Sequence, residues 1–276
     1  MNAPYCAYQR TDTWPLLYVE AIPDVGEQVE LDAGNARHCL QVLRMEPGDR
    51  LLLTDGRGLK AEATLVEIRA GASSRRSGRK SSQRSGRKSS QPSAVVHLAS
   101  VVPQPSPPEH ILAVALPHHA GRAEWLMEKA TELGIRHIYP LITVRSTYSR
   151  WKPERYHQLM IAAMLQSYQF YLPELHPPIA FAEWIHACPA ERRAIAHCEP
   201  AAKLAVWQFA AQTGSKCILV GPEGDFTPEE IEMARKAGWQ EISLGHTRLR
   251  TETAAIVACT WMTATVSAYH QAISSS

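Results

Sequence analysis

Length and composition place this chain of 276 residues among globular proteins with one large domain or two modest ones, because 45% hydrophobic and 20% charged residues exclude a disordered or fibrous chain. The net charge of +2 conceals an asymmetry: seven basic residues lie in one insert, and the remainder has 22 basic against 27 acidic side chains, a net charge of −5. Six cysteines without a CxxC pair, no export signal and no membrane-length apolar run predict reduced thiols, no metal, no membrane partner and a cytoplasmic location.

The first hundred residues predict a small β-barrel domain over residues 1–102. Short alternating or apolar runs separated by turn signals predict its strands. A short helix is expected from Asn35 to Met45, with Leu40 and Leu43 facing inward. The predicted strands are Leu16–Val19, Gln28–Leu31, Arg50–Thr54, Lys60–Ile68 and Ala94–Val102.

The insert from Gly71 to Ser93 consists almost entirely of Ser, Arg, Lys, Gly and Gln, and the segment RSGRKSSQ occurs twice in tandem. Because it has almost nothing apolar to bury, we expect a disordered loop between two strands. Two interpretations stay open: a basic arm that adds nonspecific affinity for nucleic acid, or a neutral repeat expansion.

A proline-rich linker, residues 103–108, precedes a region in which strands alternate with helices, residues 109–276. This alternation predicts an α/β domain with a mostly parallel sheet and helices on both faces. The predicted elements are the strands Ile111–Leu116, Ile135–Thr143, Ala194–His197, Cys217–Val220 and Trp239–Leu244, and the helices Arg122–Leu133, Pro153–Phe170, Pro200–Gln212 and one from Thr227 to Gly238.

Two of these strands end in polar loops that contain glycine. Cys217–Val220 leads into Gly221-Pro222-Glu223-Gly224-Asp225-Phe226, and Trp239–Leu244 leads into Gly245-His246-Thr247-Arg248-Leu249-Arg250. A long apolar helix follows the second loop. Glycines let a backbone approach a ligand closely, and open α/β sheets bind small molecules at the carboxyl ends of their strands. The sequence therefore predicts a binding site between these two loops.

The motifs Gly221–Gly224, Leu244–Gly245 and Leu249–Ala254 resemble the RsmE family in order and spacing, as do Lys129–Gly134 and the His38, Arg44 and Gly48 pattern near the N-terminus. The resemblance implies an S-adenosylmethionine-dependent methyltransferase that modifies N3 of a uridine in 16S ribosomal RNA. It also implies an α/β domain of the SPOUT superfamily with a C-terminal trefoil knot, an N-terminal PUA-like β-barrel and a homodimer. The expected partner is 16S ribosomal RNA or the small ribosomal subunit.

The resemblance and the loop pattern together predict the residues of the site. For the cofactor, the candidates are Leu219, Val220, Gly221, Pro222, Glu223, Gly224, Leu244, Gly245, Leu249 and Thr253. Uridine N3 must lose a proton as the methyl arrives, so Arg250 is expected to stabilise the developing anion, and Glu252 or Glu223 is a candidate base. Alternatively, Arg250 only orients its loop through Glu252.

The expected RNA contacts are Arg44, Arg122, Lys129 and Arg145. Surface salt bridges are an equally good interpretation for Arg122 and Lys129. The chain departs from the family pattern at Asp225, where many members have glycine, and at Leu165–Gln169, which lacks an expected arginine.

The sequence leaves two alternative functions. The first is a noncatalytic RNA-binding protein that retains the fold. The second is a nucleotide hydrolase with a phosphate-binding loop at Gly221–Asp225, which is disfavoured because that loop lacks the Lys-Ser/Thr ending and carries two acidic residues.

Overall fold

A computed structural model describes residues 14–69, 91–146 and 151–264. The chain divides into two compact units, Met1–Pro105 and Ser106–Ser276. Each unit has its own sheet and its own core. Within the described ranges, none of the helices combines the length and the hydropathy needed to cross a bilayer.

The first unit contains a five-stranded sheet with the order β1-β3-β4-β5-β2. The β1–β3 pair is parallel and the other three pairs are antiparallel. Alternate residues of the long strands are buried, as a sheet with one face on a core requires. The strands are β1 (Leu16–Tyr18), β2 (Gln28–Leu31), β3 (Arg50–Thr54), β4 (Leu59–Arg69) and β5 (Ser93–Pro103).

The helical segment between β2 and β3 differs from the prediction. Helix α1 (Ala33–Arg37) is capped by the Asp32 side chain and continues as a π-helical segment, His38–Leu43. The wider turn changes which side chains face the core: Cys39 is buried, whereas Leu43 is exposed. The prediction that Leu43 faces inward is therefore wrong, because it assumed 3.6 residues per turn throughout.

The ends of β4 and β5 are adjacent, because Arg69 and Ser93 are register partners in an antiparallel pair. The predicted disordered insert lies between these strands, and its residues 71–90 lie outside the described residues. Ser93, which was assigned to the insert, is the first residue of β5.

The second unit contains an eight-stranded sheet with the order β11-β13-β10-β12-β6-β7-β8, and β9 pairs with β7. All of these strand pairs are parallel, which confirms the predicted α/β class. The strands are β6 (Ile111–Val114), β7 (His137–Ile142), β8 (Glu174–Leu175), β9 (Ile179–Ala180), β10 (Arg192–Ala196), β11 (Leu204–Ala205), β12 (Lys216–Val220) and β13 (Gln240–Ser243).

Helices cover both faces of this sheet, as predicted for a parallel sheet. One core cluster includes residues of α2, α3, α5 and α7, and the other includes residues of α4 and α6. From Cys217 to Val220, alternate residues of β12 belong to opposite clusters, which explains why these four residues are all apolar. The helices are α2 (Ala120–Glu132), α3 (Pro153–Gln166), α4 (Phe181–Ala187), α5 (Val206–Ala210), α6 (Pro228–Lys236) and α7 (Thr251–Thr263).

The predicted helix Pro200–Gln212 is wrong in its first half. Leu204 and Ala205 form the edge strand β11 beside β13, and only Val206–Ala210 is helical. The short elements β8, β9 and α4 were not predicted. The trefoil knot implied by the family resemblance stays a prediction.

Candidate active site

A cavity of about 640 Å³ opens at the carboxyl ends of three neighbouring strands of the second unit. Its wall is built from the segment that follows β10, the loop that follows β12 and the loop between β13 and α7, together with Arg122 of α2. Pockets of roughly 300–1,000 Å³ are typical of small-molecule sites, and this rim of a parallel sheet is where such sites occur.

The loop after β12 turns sharply at Gly221. A Cβ at this position would lie 3.1 Å from the Phe226 backbone nitrogen and 3.1 Å from a carbon of the Phe226 ring. Phe226 is fully buried, so its ring has no room to yield. The close approach of the loop to itself therefore favours glycine at 221.

Asp225 holds this loop against the segment that follows β10. Its carboxylate accepts a hydrogen bond from the Cys198 backbone N–H at 2.7 Å and one from the Phe226 N–H at 2.8 Å. Its φ of +63° is in the left-handed region, which Asp tolerates better than most side chains. Two N–H donors thus compensate the negative charge that replaces the family's glycine.

Arg145 supports the same loop from outside the cavity. Its guanidinium donates to the Gly224 carbonyl at 2.6 Å and lies 3.3 Å from the Phe226 carbonyl. The sequence predicted that Arg145 lies near the RNA or cofactor cleft. Its contacts with carbonyl oxygens are to a loop of the cavity wall, and its contact with RNA stays a prediction.

The start of α7 is attached to the β12 loop. The buried Thr251 hydroxyl donates to the Gly221 carbonyl at 3.1 Å, which links the two glycine-containing loops directly. Gly245 has a φ of +144°, and nothing lies within 4 Å of the position its Cβ would occupy. The backbone beside the cavity is therefore open at Gly245.

The cavity is lined by both Glu223 and Arg250, two residues that the sequence predicts to be catalytic. The Glu223 carboxylate accepts from the His118 N–H at 3.2 Å. Glu252 is buried; its Oε1 lies 3.6 Å from the Arg122 Nε, and its Oε2 has no hydrogen-bond partner. The ion pair of Glu252 is thus with Arg122 rather than with Arg250.

Most of the predicted cofactor residues line the cavity: Val220, Gly221, Pro222, Glu223, Leu244, Gly245 and Leu249. Leu219 is fully buried in the core beneath it. Gly224 and Thr253 are not part of the wall, although Gly224 lies in one of its loops.

The predicted RNA-contacting residues have different local surroundings. Arg122 lines the cavity, whereas the Lys129 ammonium lies 2.7 Å from both Glu128 and Glu132, and these hydrogen bonds raise its pKa. Lys129 thus makes salt bridges, and its contact with RNA stays a prediction. Arg44 belongs to the first unit, where it is exposed and has a φ of +54° at the end of the π-helical segment.

Sequence reasoning missed the third side of the cavity, which contains His197, Cys198 and Lys203. The Lys203 ammonium donates to the His197 carbonyl at 2.5 Å, and the buried His197 ring lies 2.9 Å from Glu241. Burial, followed by the nearby Lys203 charge, lowers the pKa of His197. The sequence feature that could have identified these residues is the predicted strand Ala194–His197, because its carboxyl end lies at the ligand-binding rim of the sheet.

This architecture defines an α/β protein that binds a small molecule at the carboxyl rim of a parallel sheet, with a separate five-stranded module before it. A family model described as "RNA methyltransferase domain" matches residues 104–263, and one described as "RNA methyltransferase PUA domain" matches residues 31–72.

The comparisons with individual proteins agree. Ribosomal RNA small subunit methyltransferase E of Mycobacterium bovis is 29% identical over 254 residues, 88% of each chain. A probable rRNA-methyltransferase from Porphyromonas gingivalis matches with a TM-score of 0.77 at 32% identity, over 92% of this chain and 99% of that one. Ribosomal RNA small subunit methyltransferase E of Neisseria gonorrhoeae, solved bound to S-adenosyl methionine, matches with a TM-score of 0.72 at 28% identity, over 90% and 96%.

The chain belongs to the RsmE family of RNA methyltransferases. Family membership favours an enzyme over the noncatalytic RNA-binding protein considered from the sequence.

Proposed function

We propose that this protein methylates N3 of a uridine in the 16S ribosomal RNA of the small subunit, with S-adenosylmethionine as the methyl donor. The observation that carries the proposal is the common cavity of Glu223 and Arg250, formed by two glycine-containing loops at one rim of the sheet. The S-adenosyl methionine in the Neisseria gonorrhoeae relative supports the choice of cofactor.

The residues of the cavity fit this cofactor. Leu244 and Leu249 offer apolar surface to an adenine ring, and the glycine-containing backbone of both loops offers amides and carbonyls to ribose and carboxylate groups. Glu223 supplies a negative charge to the cavity that favours a cationic sulfonium. When bound, the cofactor supplies an electrophilic methyl group, so the protein's task is mainly to position the two reactants.

Arg250 stabilises the charge that develops on the uracil ring as N3 loses its proton. It is exposed at the start of α7 and lines the cavity, so a base that enters from solvent can reach it. Glu223 is the stronger of the two candidate bases, because it lines the cavity, whereas Glu252 is buried and lies beside Arg122. Because N3 lies on the pairing edge, the target uridine must be unpaired or turned out of its stack.

Replacement of Arg250 by alanine tests the mechanism. We expect Arg250→Ala to bind S-adenosylmethionine with unchanged affinity in calorimetry, and to lose about 100-fold or more in the rate of methyl transfer to 16S RNA. Mass spectrometry of the product RNA gives both the rate and the position of the methyl group.

Arg235→Ala is the matched control, because Arg235 is an exposed arginine of α6 that pairs with Glu232. Unchanged transfer by Arg250→Ala would remove this residue from the mechanism. Absence of cofactor binding by the unaltered protein would instead refute the proposed function, so the two failures are distinct.

We further propose that the protein is a homodimer and is located in the cytoplasm. Helix α7 exposes Trp261 near its end, a side chain that is more often found in interfaces than on free surface. Light scattering of the purified chain measures its oligomeric state.

A further inference from the structure

Two histidines and a glutamate meet at the other end of the parallel sheet. His137 is the first residue of β7 and Glu174 the first residue of β8, and the two are register partners. His176 follows Glu174 by two positions, and its N–H continues the pairing by donating to the Ile138 carbonyl at 3.0 Å. Strand alternation therefore places Glu174 and His176 on one face, beside His137.

The distances in this group match those of a metal site. One ligand atom from each of the three side chains can be chosen so that all lie within 4.8 Å of one another. The His137 Nδ1 and the His176 Nε2 are 3.2 Å apart, and a Glu174 oxygen lies 3.6 Å from the same His137 Nδ1. Two nitrogens on a tetrahedral Zn²⁺ with bonds of about 2.0–2.1 Å are separated by about 3.3 Å.

We propose that His137, Glu174 and His176 form a zinc site that ties the edge strand β8 to β7. The set of two imidazoles and one carboxylate leaves a fourth position for water, and imidazole ligands select zinc and its transition-metal neighbours rather than magnesium or calcium. The site lies at the amino ends of the strands, whereas the methyltransferase cavity lies at their carboxyl ends. The proposed zinc site is therefore separate from the methyltransferase cavity.

Groups around the histidines support this assignment. The Glu109 carboxylate lies 2.7 Å from the His137 Nε2, which orients the ring and leaves Nδ1 directed at the other two ligands. Such carboxylate–histidine pairs are characteristic of zinc sites. The His176 ring is stacked on Tyr139 with centroids 3.7 Å apart and planes 6° apart, so it is held before any metal binds.

The side chains are also accessible enough for a metal to enter. His137 and His176 are 22% and 17% exposed, and Glu174 is 65% exposed and free to swing toward them. The competing explanation is a direct N–H···N hydrogen bond between the two rings, which needs no metal.

The test uses the full chain without a histidine tag, freed of metal by a chelator and then titrated with Zn²⁺ alone. We expect one Zn²⁺ per chain in competition with a chromophoric chelator, and a melting temperature that rises by about 2 to 4 °C at saturation. His176→Ala and Glu174→Gln should each weaken binding by at least about 10-fold, and Glu109→Gln by about 10- to 100-fold.

His157→Ala is the matched control, because His157 is an exposed histidine of α3 in the same unit. The affinity of this variant for Zn²⁺ should equal that of the unaltered chain. Circular dichroism of each variant verifies folding. If His176→Ala does not fold, Glu174→Gln tests the site alone, because the Glu174 side chain is largely exposed. Absence of stoichiometric binding, or binding that His176→Ala and Glu174→Gln leave unchanged, would show that the rings are only hydrogen-bonded to each other. The readouts do not depend on methyltransferase activity.

Discussion

Asp225 stands where many members of the family have glycine, and the structure explains how it is accommodated. From the sequence alone, Asp225 is only a departure from the family pattern. Its carboxylate is engaged by the N–H groups of Cys198 and Phe226, so it fastens the β12 loop to the segment after β10. Asp225 lacks the conformational freedom of glycine, but its two hydrogen bonds fix the position of the loop.

Two substitutions of Asp225 separate its backbone conformation from its hydrogen bonds. Asp225→Ala loses both bonds and keeps a side chain at a φ of +63°, so we expect a loss of about 3 kcal/mol in the free energy of unfolding. Asp225→Gly loses the bonds without that conformational cost, so its loss should be about 1 kcal/mol smaller. Urea denaturation of both variants measures this. Equal losses would show that the backbone conformation contributes nothing.

The candidate site was predictable from sequence where it depends on consecutive residues. Gly221 and Gly245 mark strand-to-loop turns that local pattern identifies, and both lie at the cavity. Cys198 and Lys203 were not predicted, because they reach the cavity only through the pairing of β10 with its neighbours. The group of His137 and His176 is similarly invisible in sequence, since it depends on the register of the two-residue strand β8.

At the scale of elements, strands and helices bounded by clear turn signals were predictable, whereas the two-residue strands β8, β9 and β11 were not. β2 and β3 have the predicted bounds, because an alternating or apolar run of four or five residues between clear turn signals leaves little ambiguity. β11 has only two residues, and its strand conformation comes from pairing with β13 rather than from its own sequence. Tertiary contacts decide such elements.

The hairpin of β4 and β5 gives a test of the basic insert. Since Arg69 and Ser93 are already register partners, replacement of residues 70–92 by Asn-Gly connects the strands by a two-residue turn. We expect a melting temperature within about 2 °C of the original, because the residues that pair and pack in the hairpin are retained. A large fall measured by calorimetry would show that the insert stabilises the fold.

The same variant distinguishes the two interpretations of the insert. If it is a neutral expansion, affinity for ribosomal RNA and its dependence on salt should stay the same. If it is a basic arm, removal of seven basic residues should weaken binding and reduce the slope of log affinity against log salt.

At the scale of the whole molecule, buried histidines make stability depend on pH. His110 is 4% exposed, and its Nδ1 accepts a hydrogen bond from the Lys216 N–H at 3.2 Å. Burial, and then the positive charge of Lys216, lower the pKa of His110 from 6.5 to about 4. The unfolded chain thus binds a proton below about pH 6.5 that the folded chain binds only near pH 4, so folding is progressively disfavoured as the pH falls between these values.

His110→Asn tests this dependence, because its side-chain oxygen can still accept from the Lys216 N–H without taking up a proton. We expect the free energy of unfolding of the original chain to fall by up to about 3 kcal/mol more than that of the variant between about pH 7 and pH 4. Urea denaturation at both pH values measures the difference. His157→Asn, at an exposed histidine, should behave as the original, and parallel losses in all three chains would assign the pH dependence to other groups.

Almost all residues of the cavity wall are translated after the first unit and the first strands of the second unit. Apart from Arg122, every lining residue lies between Ala196 and Ala254. A nascent chain that has reached Val220 has its entire first unit and the strands β6, β7, β10 and β12, but neither the β12 loop nor the start of α7 that Thr251 fastens to it. The cavity of a nascent chain is therefore incomplete until Ala254 has been added, so the first unit and most of the α/β sheet are synthesised before the chain can hold a methyl donor.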